Sequence, residues 1–152
     1  MYYPNQLLLS CVILSLALPC SAEENSQESP LALNPEVVAT VFERGESGYH
    51  SFRIPALLTT PRGTLLAFAE GRRNNLNDSG DIDLVLKRSQ DKGKTWSELS
   101  VIWTDGENTC GNPCPVVDQT TGRIWLPLTW NHGKDHANQI KDRSGLDTRR
   151  VY

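Results

Sequence analysis

Residues Tyr49–Arg73, YHSFRIPALLTTPRGTLLAFAEGRR, decide the fold. They hold two short apolar runs, Phe52–Thr59 and Thr64–Ala69, on either side of Thr60–Gly63. Proline presets the backbone of a turn and glycine accepts a positive φ, so the sequence TPRG predicts a hairpin turn. The stretch therefore predicts two antiparallel strands rather than a helix.

Further strands are predicted on both sides of this hairpin. Val37–Phe42 is rich in β-branched residues, and Ile82–Leu86 and Val101–Trp103 are short apolar runs. The turn sequence Asp91–Lys94 separates the last two. No segment has a sustained helical period, so the chain predicts an antiparallel meander.

The hairpin layout then repeats along the chain. Leu57–Ala67 has a counterpart in Val116–Leu126, and the turn glycines Gly63 and Gly122 lie 59 positions apart. Two four-stranded units at such a period are typical of neighbouring blades of a β-propeller. A β-sandwich with unrelated hairpins is the alternative interpretation.

The composition of the 152-residue chain is that of a globular protein. Hydrophobic residues make up 38% and charged residues 22%, and the formal net charge is -3. These values argue against a disordered chain and against a membrane bundle. The weakly acidic balance also gives no electrostatic reason to expect nucleic acid as a partner.

Residues 1–22 are typical of a signal peptide. The run Leu7–Leu18 is almost wholly apolar, too short to span a bilayer as a helix, and followed by small residues. Cleavage at the end of this segment predicts a secreted or periplasmic protein. The alternatives are a membrane anchor and a lipoprotein cut before Cys20. Residues 23–36 predict a flexible leader, and the folded domain is expected over 37–152.

The cysteines and histidines predict no metal site. Beyond the signal segment the chain holds Cys110 and Cys114, whose disulfide would close a very short loop, so free thiols are favoured over a bridge. Two cysteines do not make a zinc site by themselves. His132 and His136 with Asp135 resemble a metal-binding pair, but the glycine between them argues against a helix. We therefore expect no cofactor.

Residues Ser89–Trp96, SQDKGKTW, form an SxDxGxxW octet. Ser89 and Asp91 can bond the amides of a turn, Gly93 can supply a positive φ, and Trp96 can pack beneath it. The octet predicts a hairpin that satisfies its own polar groups and serves folding rather than chemistry. A calcium loop around Asp91 is the alternative, but too few oxygens cluster there.

Arg53 lies between apolar residues at the start of a predicted buried strand. A guanidinium is costly there unless it meets an anion. Both a structural salt bridge and a ligand carboxylate or phosphate satisfy that need, and the residues alone do not separate them.

The segment Glu70–Asp83 joins two predicted neighbouring strands and is rich in charge. Four carboxylates and two arginines fall within its fourteen positions. Such a loop emerges at one end of the sheet, where propellers place ligand loops. The alternative is a solvated loop with internal ion pairs.

In their order and spacing, YHSFRIPALL, LLAFAEGRR, the aspartate-rich loop, DIDLVLKRS and the SxDxGxxW box resemble the amino-terminal part of an exo-α-sialidase. The resemblance is to secreted bacterial-type members of the six-bladed β-propeller superfamily, and it runs from Val37 to Tyr152. It implies an all-β fold of antiparallel four-stranded meanders, of which about the first two blades are present. It also implies a sialylated glycan as the partner.

The resemblance assigns roles to individual residues. Arg53 matches the first of three arginines that grip the carboxylate of sialic acid, and Asp78 matches the general acid and base, with Asp81 as the alternative. For that role the pKa of Asp78 is expected to lie above that of an exposed aspartate. Glu70 and Arg72 resemble residues of the pocket floor, and Glu70 is expected to orient Arg53.

The family uses a tyrosine nucleophile assisted by a glutamate, and neither matches a motif here. Of the tyrosines, Tyr2 and Tyr3 belong to the signal segment, Tyr49 precedes the FRIP strand and Tyr152 begins a later one. The other two carboxylate-binding arginines also have no match. The resemblance therefore implies a sialidase that acts with retention on glycoproteins, gangliosides and oligosaccharides. Without the tyrosine, the glutamate and the two arginines, the 152 residues by themselves are expected to be inactive. The alternative is a propeller that binds glycans without cleaving them.

Overall fold

The computed structural model describes residues 39–152. The predicted signal peptide, the flexible leader and the first two residues of the predicted domain lie outside the described residues, as do Tyr2, Tyr3 and Cys20. Within the described part of the chain, no helix is long and apolar enough to cross a bilayer.

The first repeat forms the antiparallel meander that the sequence predicts. Its strands are β1 (Ser51–Thr59), β2 (Leu65–Arg72), β3 (Ile82–Ser89) and β4 (Ser100–Trp103), and each pairs antiparallel with the next. In the turn between β1 and β2, the amide of Gly63 donates to the carbonyl of Thr60 at 2.9 Å. The predicted hairpin is confirmed.

The predicted strand Val37–Phe42 is wrong over the residues that the structure describes. Residues 39–42 form irregular backbone and a bend. Phe42 instead stacks on Phe52, with ring centroids 5.1 Å apart. The apolar side chains of this segment therefore pack on the sheet without adding a strand to it.

The second repeat is less regular than the first. Its strands are β5 (Thr109–Gly111), β6 (Val116–Val117), β7 (Ile124–Trp125), β8 (Thr129–Asn131) and β9 (Arg150–Val151). β5 continues the first sheet by pairing parallel to β3, and β8 and β9 follow antiparallel. β6 and β7 form a separate hairpin, at the position that the internal repeat predicts.

One helix was not predicted from the sequence. Helix α1 spans Ala137–Asp142, and a 3₁₀ turn covers Glu46–Gly48. A helix of six residues is less than two turns long, so it leaves no sustained apolar period to detect.

The two faces of β2 and β3 carry different side chains, because residues alternate along a strand. Leu66 and Phe68 share one face, the Arg72 face, where they join a buried cluster that the β6–β7 hairpin partly covers. Ala69 and Gly71 share the other, the Tyr49 face, where the ring of Tyr49 lies against Gly71. A Cβ atom at Gly71 would stand 2.7 Å from that ring, so glycine is what lets the ring approach.

Candidate active site

Arg53 lies next to an irregularity in the backbone of β1. The pairing of β1 with β2 shifts register between Arg53 and Ala56, and Ile54 adopts a positive φ of 53°. That backbone is strained for a β-branched residue, and such strain concentrates at functional sites. The side chain of Arg53 is 44% exposed, and its Nη1 donates to Oδ1 of Asp78 at 2.7 Å.

Glu70 and Arg72 form a buried pair on the Arg72 face. The side chain of Arg72 is 2% exposed, and its Nε and Nη2 donate to Oε2 of Glu70 at 3.2 and 2.6 Å. Its Nη1 donates to the carbonyl of Leu76 at 2.6 Å, which ties it to the following loop. Glu70 was expected to orient Arg53, which lies opposite it in the register of β1 and β2. Its carboxylate contacts Arg72 instead, whereas the guanidinium of Arg53 contacts Asp78.

The second repeat closes this pair from the other side. The backbone amide of Asn112 donates to Oε1 of Glu70 at 3.0 Å, and a Cβ atom at Gly111 would collide with the same carboxylate. Asn112 has a φ of 51°, a conformation that asparagine tolerates better than most residues. Neither residue was predicted from the sequence, although the dipeptide Gly111-Asn112 is a signal of a tight backbone approach.

Asp78 is the exposed member of the cluster. Its side chain is 69% exposed, and its Oδ1 also accepts from Nη2 of Arg72 at 2.8 Å. The hydrogen bond from Arg72 holds the pKa of Asp78 below its usual range, with the charge of Arg53 acting in the same direction. The expected rise in its pKa is therefore wrong for this arrangement, because the arginines favour the charged form.

Asp81 has the opposite electrostatic environment. Burial and the nearby charge of Asp83 raise the pKa of Asp81. It lies 3.9 Å from Nε of Arg73, and it lines a cleft of about 670 Å³ together with Glu107 and Lys134. Asp81 thus has the raised pKa that the sequence analysis expected of Asp78, but its ion pair is with Arg73 rather than with Arg53 or Arg72.

The two described tyrosines do not join Asp78. Tyr49 is buried on the Tyr49 face, where its hydroxyl donates to Oδ2 of Asp83 at 2.7 Å. Tyr152 is exposed and makes an edge contact with Trp103, with ring centroids 5.0 Å apart.

The SxDxGxxW turn is closed by its own side chains. Ser89 Oγ donates to Asp91 Oδ1 at 2.8 Å and accepts the amide of Gly93 at 2.8 Å. Asp91 also accepts from the amide and the hydroxyl of Thr95, and these bonds lower the pKa of Asp91 to about 2. The indole of Trp96 donates to the carbonyl of Gly93 at 3.2 Å. Both oxygens of Asp91 thus accept hydrogen bonds within the turn.

His132, Asp135 and His136, which resemble a metal-binding set in the sequence, make hydrogen bonds within the protein. His132 Nδ1 accepts the amide of Lys134, and buried Asp135 accepts two backbone amides. His136 Nδ1 lies 3.0 Å from Ser79 Oγ. Over residues 39–152, no group of three or more metal-binding side chains is assembled. Cys110 is buried and Cys114 exposed, and both are free thiols.

Arg149 is a further cation near Asp78 that the sequence analysis did not assign. Its charge also lowers the pKa of Asp78, and its Nε and Nη2 donate to Oδ1 of buried Asn131 at 3.2 and 3.0 Å. No motif marks this residue in the sequence, because Asn131 and Arg149 meet only through the pairing of β8 with β9.

Comparison with known proteins gives sialidases consistently, although no family model matches the chain. An exo-alpha-sialidase of Aspergillus fumigatus is 45% identical over 101 residues, which cover 62% of this chain and 24% of that protein. An exo-alpha-sialidase of Arthroderma benhamiae is 48% identical over 97 residues, 60% of this chain and 23% of that protein. A sialidase of Bacteroides fragilis is 37% identical over 98 residues, 59% and 18% respectively. The chain therefore spans less than a quarter of the length of these relatives.

A solved structure gives the same result for the fold. The structure of Hadza microbial sialidase Hz136 superposes with a TM-score of 0.59 and 28% identity, covering 70% of this chain and 24% of that one. The prediction of an all-β, sialidase-type propeller fold is confirmed. On sequence and structure together, the chain belongs to the sialidases of the β-propeller type.

Proposed function

We propose that the protein is a secreted exo-α-sialidase that releases terminal α-linked sialic acids from glycoproteins, gangliosides and oligosaccharides with retention. The observation that carries the proposal is the convergence of two guanidinium groups, from Arg53 and Arg72, on one exposed carboxylate oxygen of Asp78. Two guanidinium groups that meet an exposed carboxylate are also placed to meet the carboxylate of a ligand.

In this proposal, the carboxylate of sialic acid takes the place that Oδ1 of Asp78 occupies. Arg53 is half-exposed and can turn to the ligand. Arg72 is held from behind by the buried carboxylate of Glu70, so its guanidinium stays in place when Asp78 leaves. Preorganised charge of this kind stabilises a bound anion without reorganisation during the reaction.

The exchange also prepares Asp78 for acid catalysis. Once its arginine partners pass to the substrate, the interactions that lower the pKa of Asp78 are weakened, and the neutral form becomes accessible. Asp78 then donates its proton to the departing glycosidic oxygen and afterwards takes a proton from the attacking water. The lowered pKa thus belongs to the ligand-free arrangement.

The nucleophile of the proposed reaction is a tyrosine outside residues 39–152, with its glutamate and two further arginines. Tyr49 does not serve, because it is buried on the face of the sheet opposite Arg72. A neutral phenol suits this substrate, since an anionic nucleophile would be repelled by the carboxylate on the reacting carbon. We expect residues 39–152 alone to have no turnover.

The test is hydrolysis of a fluorogenic aryl sialoside by the full-length protein. Asp78→Ala is expected to lower kcat/KM about 10²- to 10⁴-fold, the usual contribution of a general acid. Arg53→Ala is expected to raise KM. Matched controls are Asp142→Ala and Arg62→Ala, which change exposed residues outside the cluster. Full turnover in both site variants would refute the assignment, and sialoside binding without turnover by the unaltered protein would favour a binding module.

A further inference from the structure

A cleft of about 370 Å³ lies between the loop that carries Asp78 and the start of helix α1. Residues 76–79 form one wall and residues 136–138 form the other. The walls are tied together by the contact of 3.0 Å between Ser79 Oγ and His136 Nδ1. The cleft is therefore a built feature that joins the first repeat to the second.

Asp78 lines this cleft while contacting the arginines with only one oxygen. Its Oδ1 accepts from both Arg53 and Arg72, whereas its Oδ2 has no hydrogen bond within residues 39–152. A general acid must lie next to the oxygen that leaves. If Arg53 and Arg72 hold the carboxylate of the sialic acid, the departing group must lie on the side of Asp78 away from the arginines. The cleft borders Asp78, so it is the space available to that group.

The cleft wall offers the two kinds of surface that a sugar ring needs. Leu76 is 54% exposed and presents an apolar side chain to the carbon-bound hydrogens of a ring. Asn77, Asn138 and His136 present amide and imidazole groups for hydroxyls. The imidazole of His136 contacts Ser79 Oγ through Nδ1 at 3.0 Å. The wall holds no charged side chain other than Asp78, which fits a neutral sugar rather than an anion.

We propose that this cleft binds the leaving group of the substrate, the neutral hexose to which the sialic acid is attached. Asn138 and His136 hydrogen-bond its hydroxyls, and residues 136–138 thereby select among glycans. The inference rests on the proposed sialidase function, because it takes its direction from the role of Asp78.

The experiment compares two substrates of the full-length protein, sialyllactose and a fluorogenic aryl sialoside. The measured quantity is the ratio of their kcat/KM values. Asn138→Ala is expected to lower this ratio about fivefold, the usual effect of one lost hydrogen bond. Ala137→Phe, at an exposed position of the same wall, narrows the cleft and is expected to lower the ratio at least about tenfold. Gln119→Ala is the control, because Gln119 is exposed and lines a separate cleft between the two hairpin turns.

A fall in the ratio for both wall variants, with the control unchanged, supports the leaving-group cleft. An unchanged ratio in Asn138→Ala and Ala137→Phe, including an equal loss on both substrates, overturns it while leaving the sialidase function intact. No hydrolysis of either sialoside by the unaltered protein overturns the proposed function, and the cleft assignment with it.

Discussion

The consecutive residues Arg72 and Arg73 place their side chains on opposite faces of one sheet, and each contacts carboxylates there. We call the group on the Arg72 face the open cluster and the group on the Tyr49 face the sealed cluster. Arg72 holds Glu70 and the exposed Asp78. Arg73 donates from Nε and Nη2 to Oδ2 of Asp83 at 3.1 and 2.8 Å, where Tyr49 also donates. The residue types are the same, but one cluster ends in a carboxylate that is 69% exposed and the other in one that is 1% exposed.

The difference in exposure distinguishes the candidate site around Asp78 from the structural cluster around Asp83. Asp83 is sealed beneath Tyr49, and its Oδ1 is buried without a hydrogen-bond partner in the described part of the chain. Burial and the Asp83 carboxylate raise the pKa of Tyr49 above its usual range, which keeps the phenol a donor. Asp78 is open to solvent, as the proposed exchange of its partners with a ligand requires, whereas Asp83 is buried.

The largest predicted effect is on stability and comes from the sealed cluster. Asp83→Ala leaves the Arg73 charge and the Tyr49 hydroxyl without their partner, and breaking a buried pair costs about 3–5 kcal/mol. Arg73 is 40% exposed and recovers some hydration, so we expect about 3 kcal/mol. Urea denaturation measures this free energy of unfolding.

Asp78→Ala is the matched change on the open face. Because Asp78 is exposed and Arg72 keeps Glu70, its loss should cost less than about 1 kcal/mol. Equal destabilisation by the two substitutions would show that the clusters do not differ as described.

A second prediction concerns the glycine beneath each cluster. Gly71→Ala places a methyl group 2.7 Å from the Tyr49 ring, and overpacking of this kind costs about 1–3 kcal/mol. Gly111→Ala collides with the Glu70 carboxylate and displaces the support of Arg72. Thermal unfolding and the aryl-sialoside KM, measured on both variants, should show Gly71→Ala acting on stability alone and Gly111→Ala also raising KM. The reverse assignment would contradict the division between faces.

The regular part of this arrangement could be predicted from sequence, because it depends on local signals. The hairpin at Thr60–Gly63 and the SxDxGxxW turn are set by glycine, proline and aspartate within a few positions. The family resemblance likewise rests on short sequence motifs, which occur in this chain in the order typical of the family. The sequence therefore predicted the β fold. It also named Arg53, Glu70, Arg72 and Asp78, which the structure brings into one cluster.

The parts that failed depend on contacts between distant segments. The pKa of Asp78 depends on the positions of the Arg72 and Arg53 side chains. These positions cannot be predicted from the sequence of the loop. Asn112 reaches Glu70 only because β5 joins the first sheet. Phe42 packs on Phe52 instead of extending a strand, which β propensity alone does not reveal.

The smallest predicted effect is the acid dependence of stability. A carboxyl whose folded pKa is lowered, as for Asp78, adds stability that is present above its unfolded pKa of about 3.9. That stability is lost as the pH falls through the lower folded pKa. Asp78→Asn should therefore flatten the decline of stability below about pH 4, by less than about 1 kcal/mol because the group is exposed. Urea melts of both proteins between neutral and acid pH measure it, and identical acid limbs would show that the arginine contacts contribute nothing.

The most direct test of the central claim, that the open cluster protonates the departing oxygen, is a leaving-group series. Aryl sialosides of similar size, whose phenols differ in acidity, are hydrolysed by the full-length protein and by Asp78→Ala. With Asp78 present, kcat/KM should depend weakly on the acidity of the phenol, because the acid assists departure. In Asp78→Ala the dependence should become steep, with the least acidic phenols losing most. The same dependence in both proteins would contradict the assignment of Asp78 as the general acid.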